Sequence, residues 1–513
     1  MPEPKSYAKR LVKGSAIVFT SFIASEVVGV FMRMFLARSL TVVEYGLFYA
    51  IFAFVSLFAL FRDLGLNAAL AKYIPEFAVR GQFTKIKSAI ASALLFQATP
   101  ALIISITLFI FSDHIALGFF KTLDASLPIR ILSVWFFFEI FRLLASGMSQ
   151  SFQNMPVYAA LDFFNVLLLF SLAICFVGIL GLGLNGIALA YPLTVILIGF
   201  FGITFFIKRY PHVFRKKASV SKPLLKKLLI FSTPIFIAGF GGAIIYYIDT
   251  ITITAFRTLS EVGFYQAALP AARLVQYIPS ALTVVLFPMM SEIWARRNQK
   301  LLKNMLHFII KFSFIIIMPA TFILIAFPNI LINLLFGPNY LVGATALQIL
   351  GVGTIVYTLY AIFTTVMPAI DRPIIVTKVM TFMACFNLIG DLALVPIYGI
   401  EGAAVATVGS FLFGVVLLIY YARKFIKFTI PIVPLLKASV GGILTLLLIF
   451  GLKSILVLPP WPLAFAVMIP GLLFYGIWIL AIKAITKDEL NLIAKIVPMP
   501  KWFVRAARKI VRA

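Results

Sequence analysis

The chain has 513 residues, is 62% hydrophobic and only 12% charged, and carries a formal net charge of +27 with mean hydropathy +1.08. A soluble globular protein is about half apolar and about a quarter charged, so this composition excludes a soluble enzyme or binding module and specifies an all-α, polytopic membrane protein. In a soluble chain the positive charge would point to nucleic acid; here cytoplasmic loops account for it, and no nucleic-acid partner is expected.

Windows of about 20 apolar residues place fourteen transmembrane helices along the chain. The first six run near 14–38, 44–70, 88–112, 127–149, 156–180 and 184–207, and residues 1–207 form an N-terminal lobe. A basic cytoplasmic linker, 208–227, leads to a C-terminal lobe over 228–424, with spans near 228–256, 262–290, 304–327, 342–368, 374–396 and 400–422. Two extra helices near 435–456 and 461–483 fill 425–484. The tail 485–513 mixes Lys and Arg with apolar residues and reads as an amphipathic helix on the anionic inner leaflet. The first apolar run lacks a small-residue cleavage site and is read as a span, not a signal peptide. Every connection is too short for a folded extramembrane domain.

With the N-terminus inside, the cytoplasmic segments hold 35 of the 44 Lys and Arg residues and the external ends hold five. That asymmetry predicts both termini in the cytoplasm of a multi-pass cell-membrane protein. The chain also repeats itself. Glu44-Tyr45-Gly46-Leu47-Phe48-Tyr49-Ala50 lies 217 residues before Glu261-Val262-Gly263-Phe264-Tyr265-Gln266-Ala267. Gly183-Leu184-Asn185-Gly186-Ile187-Ala188 lies 216 residues before Gly399-Ile400-Glu401-Gly402-Ala403-Ala404. Near-equal offsets imply one duplicated half, and six spans per half make the copies parallel repeats.

Four arginines stand far from any span end: Arg33, Arg62, Arg142 and Arg273. An arginine at a helix centre costs at least about 2.5 kcal/mol on insertion scales, so each is a functional-site candidate. Arg stays charged and binds phosphate bidentately, which suits a large anion crossing between two lobes. Lys311 and Lys378, near cytoplasmic span ends, are further candidates for the anionic head group, with snorkelling to the interface as the alternative. Arg62 can instead pair with Asp63, and Glu139 with Arg142 stands at i, i+3, an ordinary intrahelical pair. The carboxylates Glu26, Asp63, Glu139, Asp162, Asp249 and Asp391 are candidates for coupling Na⁺ or H⁺ to transport. Asp249 leads them, because Pro234 and the Gly239-Phe240-Gly241-Gly242 cluster precede it and suggest a bend with freed carbonyls.

Other signals are negative. No G-x-x-x-x-G-K-[ST] occurs, His114, His212 and His307 are scattered, and Cys175 and Cys385 sit in separate apolar runs, so no cofactor, metal site or disulfide framework is expected. No long polar loop carries the paired acids of a membrane glycosyltransferase or polymerase. A multidrug cation antiporter would favour an acidic site, against which the buried arginines argue.

Ala37-Arg38-Ser39-Leu40, Glu44-Tyr45-Gly46-Leu47-Phe48 and Asp63-Leu64-Gly65-Leu66 resemble the opening of Wzx-like polysaccharide and oligosaccharide flippases. Pro234, Tyr247-Ile248-Asp249-Thr250, Ala272-Arg273-Leu274, Phe336-Gly337-Pro338-Asn339-Tyr340 and Gly402-Ala403-Ala404 continue the resemblance over nearly the whole chain. It implies two six-helix lobes in a V shape plus two C-terminal helices, within the multidrug/oligosaccharidyl-lipid/polysaccharide (MOP) exporter superfamily. It also implies flipping of polyprenyl- or dolichyl-(pyro)phosphate-linked glycans, by a monomer that works alongside glycan-assembly enzymes. The related MurJ-like lipid II flippases have functional arginines at places similar to Arg33, Arg62 and Arg273. Glu26 departs from their pattern, where another arginine is usual, and favours a different glycan.

Overall fold

The computed structural model describes residues 4–217, 222–426, 428–486 and 489. The long helices are α1 (Pro4–Ser39), α2 (Val42–Leu57), α3 (Leu66–Val79), α4 (Phe83–Ile110), α5 (Ser126–Ser151), α6 (Met155–Ala173) and α7 (Gly183–Arg209). They continue with α8 (Lys222–Phe256), α9 (Leu259–Ala295), α10 (Gln299–Ala326), α11 (Ala344–Ala369), α12 (Pro373–Phe425), α13 (Ile432–Ile455) and α14 (Pro460–Ala481). Among the described residues there is no strand. Helices suit the solvent: without water to satisfy them, backbone groups inside a bilayer must bond within a helix or a closed barrel.

By length and apolarity eleven helices among the described residues could cross a membrane, or twelve if one bent pair is a single span, against the fourteen spans expected from the sequence. The bent pair is α2 with residues 59–79, which turn by 44° at Phe58. Helix α12 counts once although it runs for 53 residues and is broken at Gly399, where φ is 58° and ψ is −131°. An L side chain rarely adopts that conformation, so the glycine makes the break possible.

Cα packing divides the chain into two compact units, residues 1–266 with 391–400, and residues 267–390 with 401–513. This cut passes through α9 and α12 and differs from the lobe boundary expected at 208–227, because α8 packs against α2 and α3. In the first unit α5 lies along α7 and α1 along α6. Leu66, Leu70, Ile74, Ile86 and Phe206 form one apolar core in it. The linker is tied to this unit: Lys87 Nζ donates to the carbonyls of Phe214 and Lys216, each at 2.6 Å. Residues 218–221 of the linker lie outside the described residues.

In the second unit α10 packs against α11 and α13, and α13 against α14. Phe314, Met318, Phe322, Tyr475 and Ile479 make the shared core. The hydroxyls of Thr321 and Thr354 meet at 2.9 Å between α10 and α11, and Tyr475 donates to the Ile315 carbonyl at 3.3 Å. Apart from Glu489, the expected amphipathic tail lies outside the described residues beyond Thr486.

Candidate functional site

Most of the expected site residues belong to the first unit. Arg33, one and a half turns before the end of α1, lies with its guanidinium 4.5 Å from the centre of the Tyr49 ring. Its Nη1 donates a long hydrogen bond, 3.5 Å, to Gln266 Oε1. Gln266 is oriented in turn by donating to Thr250 Oγ1 at 2.7 Å. Tyr45, Tyr191 and Tyr246 are its other electrostatic neighbours. Among the described residues no carboxylate pairs with Arg33. A guanidinium has five N–H donors, so most of them remain for an anion.

Arg62 sits just past the bend between α2 and α3. It is 7% exposed, with its guanidinium 5.0 Å from the Phe136 ring and 5.4 Å from the Trp135 ring. Its Nη1 donates to the Phe136 carbonyl at 3.4 Å, and its Nε has no acceptor. The rings form a chain between the two arginines: Tyr49 touches Phe48, Phe48 touches Tyr191, and Tyr191 touches Trp135, with centroids 5.1, 5.6 and 5.7 Å apart. Aromatic faces hold a cation at about 0.5–2 kcal/mol each without neutralising it.

Arg142 is different. Its Nη2 and Nε donate to Glu139 over 2.5–3.0 Å, with both side chains largely buried on α5. Asp63 accepts from Asn67 Nδ2 at 2.6 Å and from Gln97 Nε2 at 3.3 Å, which makes it the fastening of the corner beside Arg62. A cavity of about 390 Å³ opens here, lined by Arg62, Asp63, Asn67, Gln150, Tyr158 and Tyr247. A neighbouring cavity of about 400 Å³ lies between α1 and α6 and also uses Tyr158. It collects Glu26 and Asp162, with Ser25 donating to Asp162 at 3.3 Å.

Asp249 and Asp391, 142 positions apart in sequence, come together. Their carboxyl groups lie within hydrogen-bonding reach, at 5% and 0% exposure. Tyr265 donates to Asp249, and neither Asp391 oxygen has a donor among the described residues. Two buried carboxylates in contact repel unless a proton or cation lies between them. Among the described residues there is no group of three or more His, Cys, Asp or Glu suited to a metal.

The second unit holds Arg273, half-buried on α9, and Lys378, exposed on α12. Lys311, 4% exposed, donates to Glu489 at 2.6 and 2.9 Å, a buried ion pair that the sequence did not indicate. Tyr49, Trp135, Tyr158, Tyr265 and Gln266 were also missed, because neutral side chains carry no insertion cost to flag them. Tyr49, Tyr265 and Gln266 do fall inside the repeated motif, which was the available signal.

A family model described as "Polysaccharide biosynthesis protein" matches residues 11–294, and one described as "Lipid II flippase MurJ" matches residues 272–473. An uncharacterized membrane protein of Methanocaldococcus jannaschii is 27% identical over 489 residues, covering 93% of this chain and 96% of its own length. A probable low-salt glycan biosynthesis flippase of Haloferax volcanii, Agl15, is 22% identical, covering 91% and 94%. Among solved structures, the lipid II flippase MurJ in an inward closed conformation matches with TM-score 0.74 at 18% identity, over 90% of this chain and 98% of that one. An inward-facing multidrug resistance MATE transporter of the MOP superfamily matches with TM-score 0.65 at 17% identity, over 80% and 94%. At such identities the structural likeness bears on the fold.

Proposed function

Because the chain belongs to the polysaccharide biosynthesis protein family and has the fold of MOP-superfamily transporters, we propose that it is a flippase and not an enzyme. Its cargo is a polyprenyl- or dolichyl-(pyro)phosphate-linked oligosaccharide, carried from the cytoplasmic to the outer leaflet of the cell membrane by alternating access. The observation that carries this reading is Arg33, a cation inside the membrane-spanning part that rings hold and no carboxylate neutralises. A sugar phosphate cannot enter hydrocarbon unaided, and a desolvated guanidinium offers it paired donors. Arg62, which no carboxylate pairs with among the described residues, is the second anion ligand; Arg273 and Lys378 are further candidates, and Lys311 would have to release Glu489 to serve as one. A multidrug cation antiporter has no use for these arginines.

The energy comes from an ion gradient. The Asp249–Asp391 pair, with Tyr265 beside it, is the coupling site: taking up Na⁺ or H⁺ relieves the repulsion between the carboxyls, so occupancy favours the conformation that keeps them together. Glu26, Asp63, Glu139 and Asp162 stand apart from that pair, and Glu139 and Asp63 are already committed to neighbours. Both termini face the cytoplasm, the basic tail meets anionic lipid, and the monomer receives its cargo from glycan-assembly enzymes.

The test is flipping of a fluorescent lipid-pyrophosphate oligosaccharide in proteoliposomes. Arg33→Ala is expected to lower the rate at least about tenfold, the effect of losing one charge-assisted contact, and Arg33→Lys to keep part of it. Wild-type rates in Arg33→Ala and Arg62→Ala together would make both arginines structural and overturn the site.

A further inference from the structure

The cavity between α1 and α6 stands beside the arginine site with a different chemistry. Ser21, Ser25, Glu26, Tyr158 and Asp162 supply its polar groups, and Val18, Phe22, Met32, Val166 and Leu169 its apolar ones. Ser21 Oγ donates to the Ala159 carbonyl at 2.7 Å and Ser25 Oγ to Asp162 Oδ2 at 3.3 Å, so the hydroxyls brace α1 against α6 and fix the carboxylate. Arg142 bears electrostatically on Asp162, but its hydrogen bonds go to Glu139. The adjoining cavity shares Tyr158 and is lined by Arg62, a cation that no carboxylate pairs with among the described residues.

We propose that the α1–α6 cavity is the sugar-reading subsite of the head group, where Glu26 and Asp162 admit neutral or amino sugars and reject uronic acids. The inference rests on the flippase reading above and adds a substrate class to it. An ionised carboxylate has about four acceptor positions and suits the adjacent hydroxyl donors of a sugar. An amino sugar gains a charge-assisted bond there. A uronate brings a third negative charge beside two half-buried carboxylates, which costs binding. Because both cavities are lined by Tyr158, a glycan whose phosphate end lies at Arg62 continues past Tyr158 toward the acidic cavity.

Two probes decide it: fluorescent polyprenyl-pyrophosphate disaccharides that end in glucose or in glucuronic acid, measured against the purified full chain. In detergent, wild type is expected to bind the glucose probe at least about tenfold more tightly. The Glu26→Gln/Asp162→Asn double variant should bring the two within about twofold by gaining the uronate, and Asp162→Asn alone should fall between. Equal binding by wild type overturns the proposal without recourse to any variant. So does a folded double variant that keeps the tenfold ratio. Flipping in proteoliposomes tests the other reading: wild type that binds selectively but flips neither probe keeps the subsite and removes the flippase.

Discussion

Arg142 and Arg33 represent two ways of keeping a guanidinium inside a membrane protein. Arg142 is neutralised by Glu139 through bonds of 2.5–3.0 Å, and Arg33 is left charged on a tyrosine ring. The two should therefore fail differently. Arg142→Ala strands a buried carboxylate and is expected to cost about 3–5 kcal/mol of stability, with Glu139→Leu/Arg142→Leu recovering most of it. Arg33→Ala loses about 0.5–2 kcal/mol of cation–π energy but also the burial cost of the charge, so its melting temperature should stay close to wild type while transport falls. Thermal melts in detergent check both; an Arg142→Ala melt equal to wild type would remove the pair from the fold's supports. The cost of buried charge made both arginines legible in the sequence, and the i, i+3 spacing even named Glu139. The ring beside Arg33 was harder to read, since 18 tyrosines and 53 phenylalanines do not say which one faces a cation and only the repeated motif singled out Tyr49.

At the scale of elements, the repeated motifs are helix starts that meet one another. Thr41 and Glu44 form a capping box on α2, with Thr41 N donating to Glu44 Oε2 at 2.9 Å and Glu44 N to Thr41 Oγ1 at 3.2 Å. In the second copy Glu261 N donates to Thr258 Oγ1 at 3.3 Å, and Arg257 Nε to Glu261 at 2.9 Å. The first Glu completes a capping box and the second pairs with Arg257 beside its Thr258 cap, so each copy has a use for Glu, and the contact between the helices explains Gly. A Cβ at Gly263 would fall 2.6 Å from the Val42 carbonyl oxygen, and one at Gly46 would fall 2.8 Å from Gly263 N. The pattern continues: a Cβ at Gly183 would meet Glu44 Oε1 at 3.4 Å, and one at Gly399 would meet Glu261 Oε2 at 2.5 Å. Sequence offsets revealed the duplication but could not reveal that the copies touch, which takes both backbones. Gly46→Ala and Gly263→Ala should each cost about 1–3 kcal/mol by forcing the helices apart, read as a lower melting temperature. An unchanged melt would mean that the crossing has slack.

The same scale holds a pH-dependent fastening. Burial pushes the Glu489 carboxyl up, but hydrogen bonds from Lys311 and Thr486 outweigh it and hold the group below its ordinary value. A depressed carboxyl stabilises the fold fully above its unfolded pKa, and that contribution disappears as pH falls through the folded one. The attachment of residue 489 to α10 should therefore persist through neutral and mildly acidic pH and loosen only as pH falls below the ordinary glutamate range. Limited proteolysis after Lys483 in nanodiscs would follow it, with Glu489→Gln cleaved readily even at pH 7. Equal protection of wild type and variant at pH 7 would exclude the ion pair as the fastening.

For the whole molecule, composition alone gave the class, since a 62% apolar chain has no aqueous fold. Span ends were harder to read. Bilayer physics constrains how long a helix must be, but not whether two helices are joined by a break, as at Phe58 and Gly399. The pairing of Asp249 with Asp391 was harder still, because periodicity orders residues along one helix and cannot bring two helices together. Orientation rests on a different force, the charge asymmetry of short loops, with 35 of 44 Lys and Arg on one side and five on the other. Each basic residue resists translocation, so the bias adds over the chain and predicts both termini in the cytoplasm. In a chain with Cys175 and Cys385 replaced by Ser, Lys217→Cys and Arg372→Cys should react with a membrane-impermeant maleimide only after cells are permeabilised. Lys121→Cys should react in intact cells. Labelling of the Lys217 and Arg372 sites from outside would invert the orientation, and with it the direction of the proposed transport.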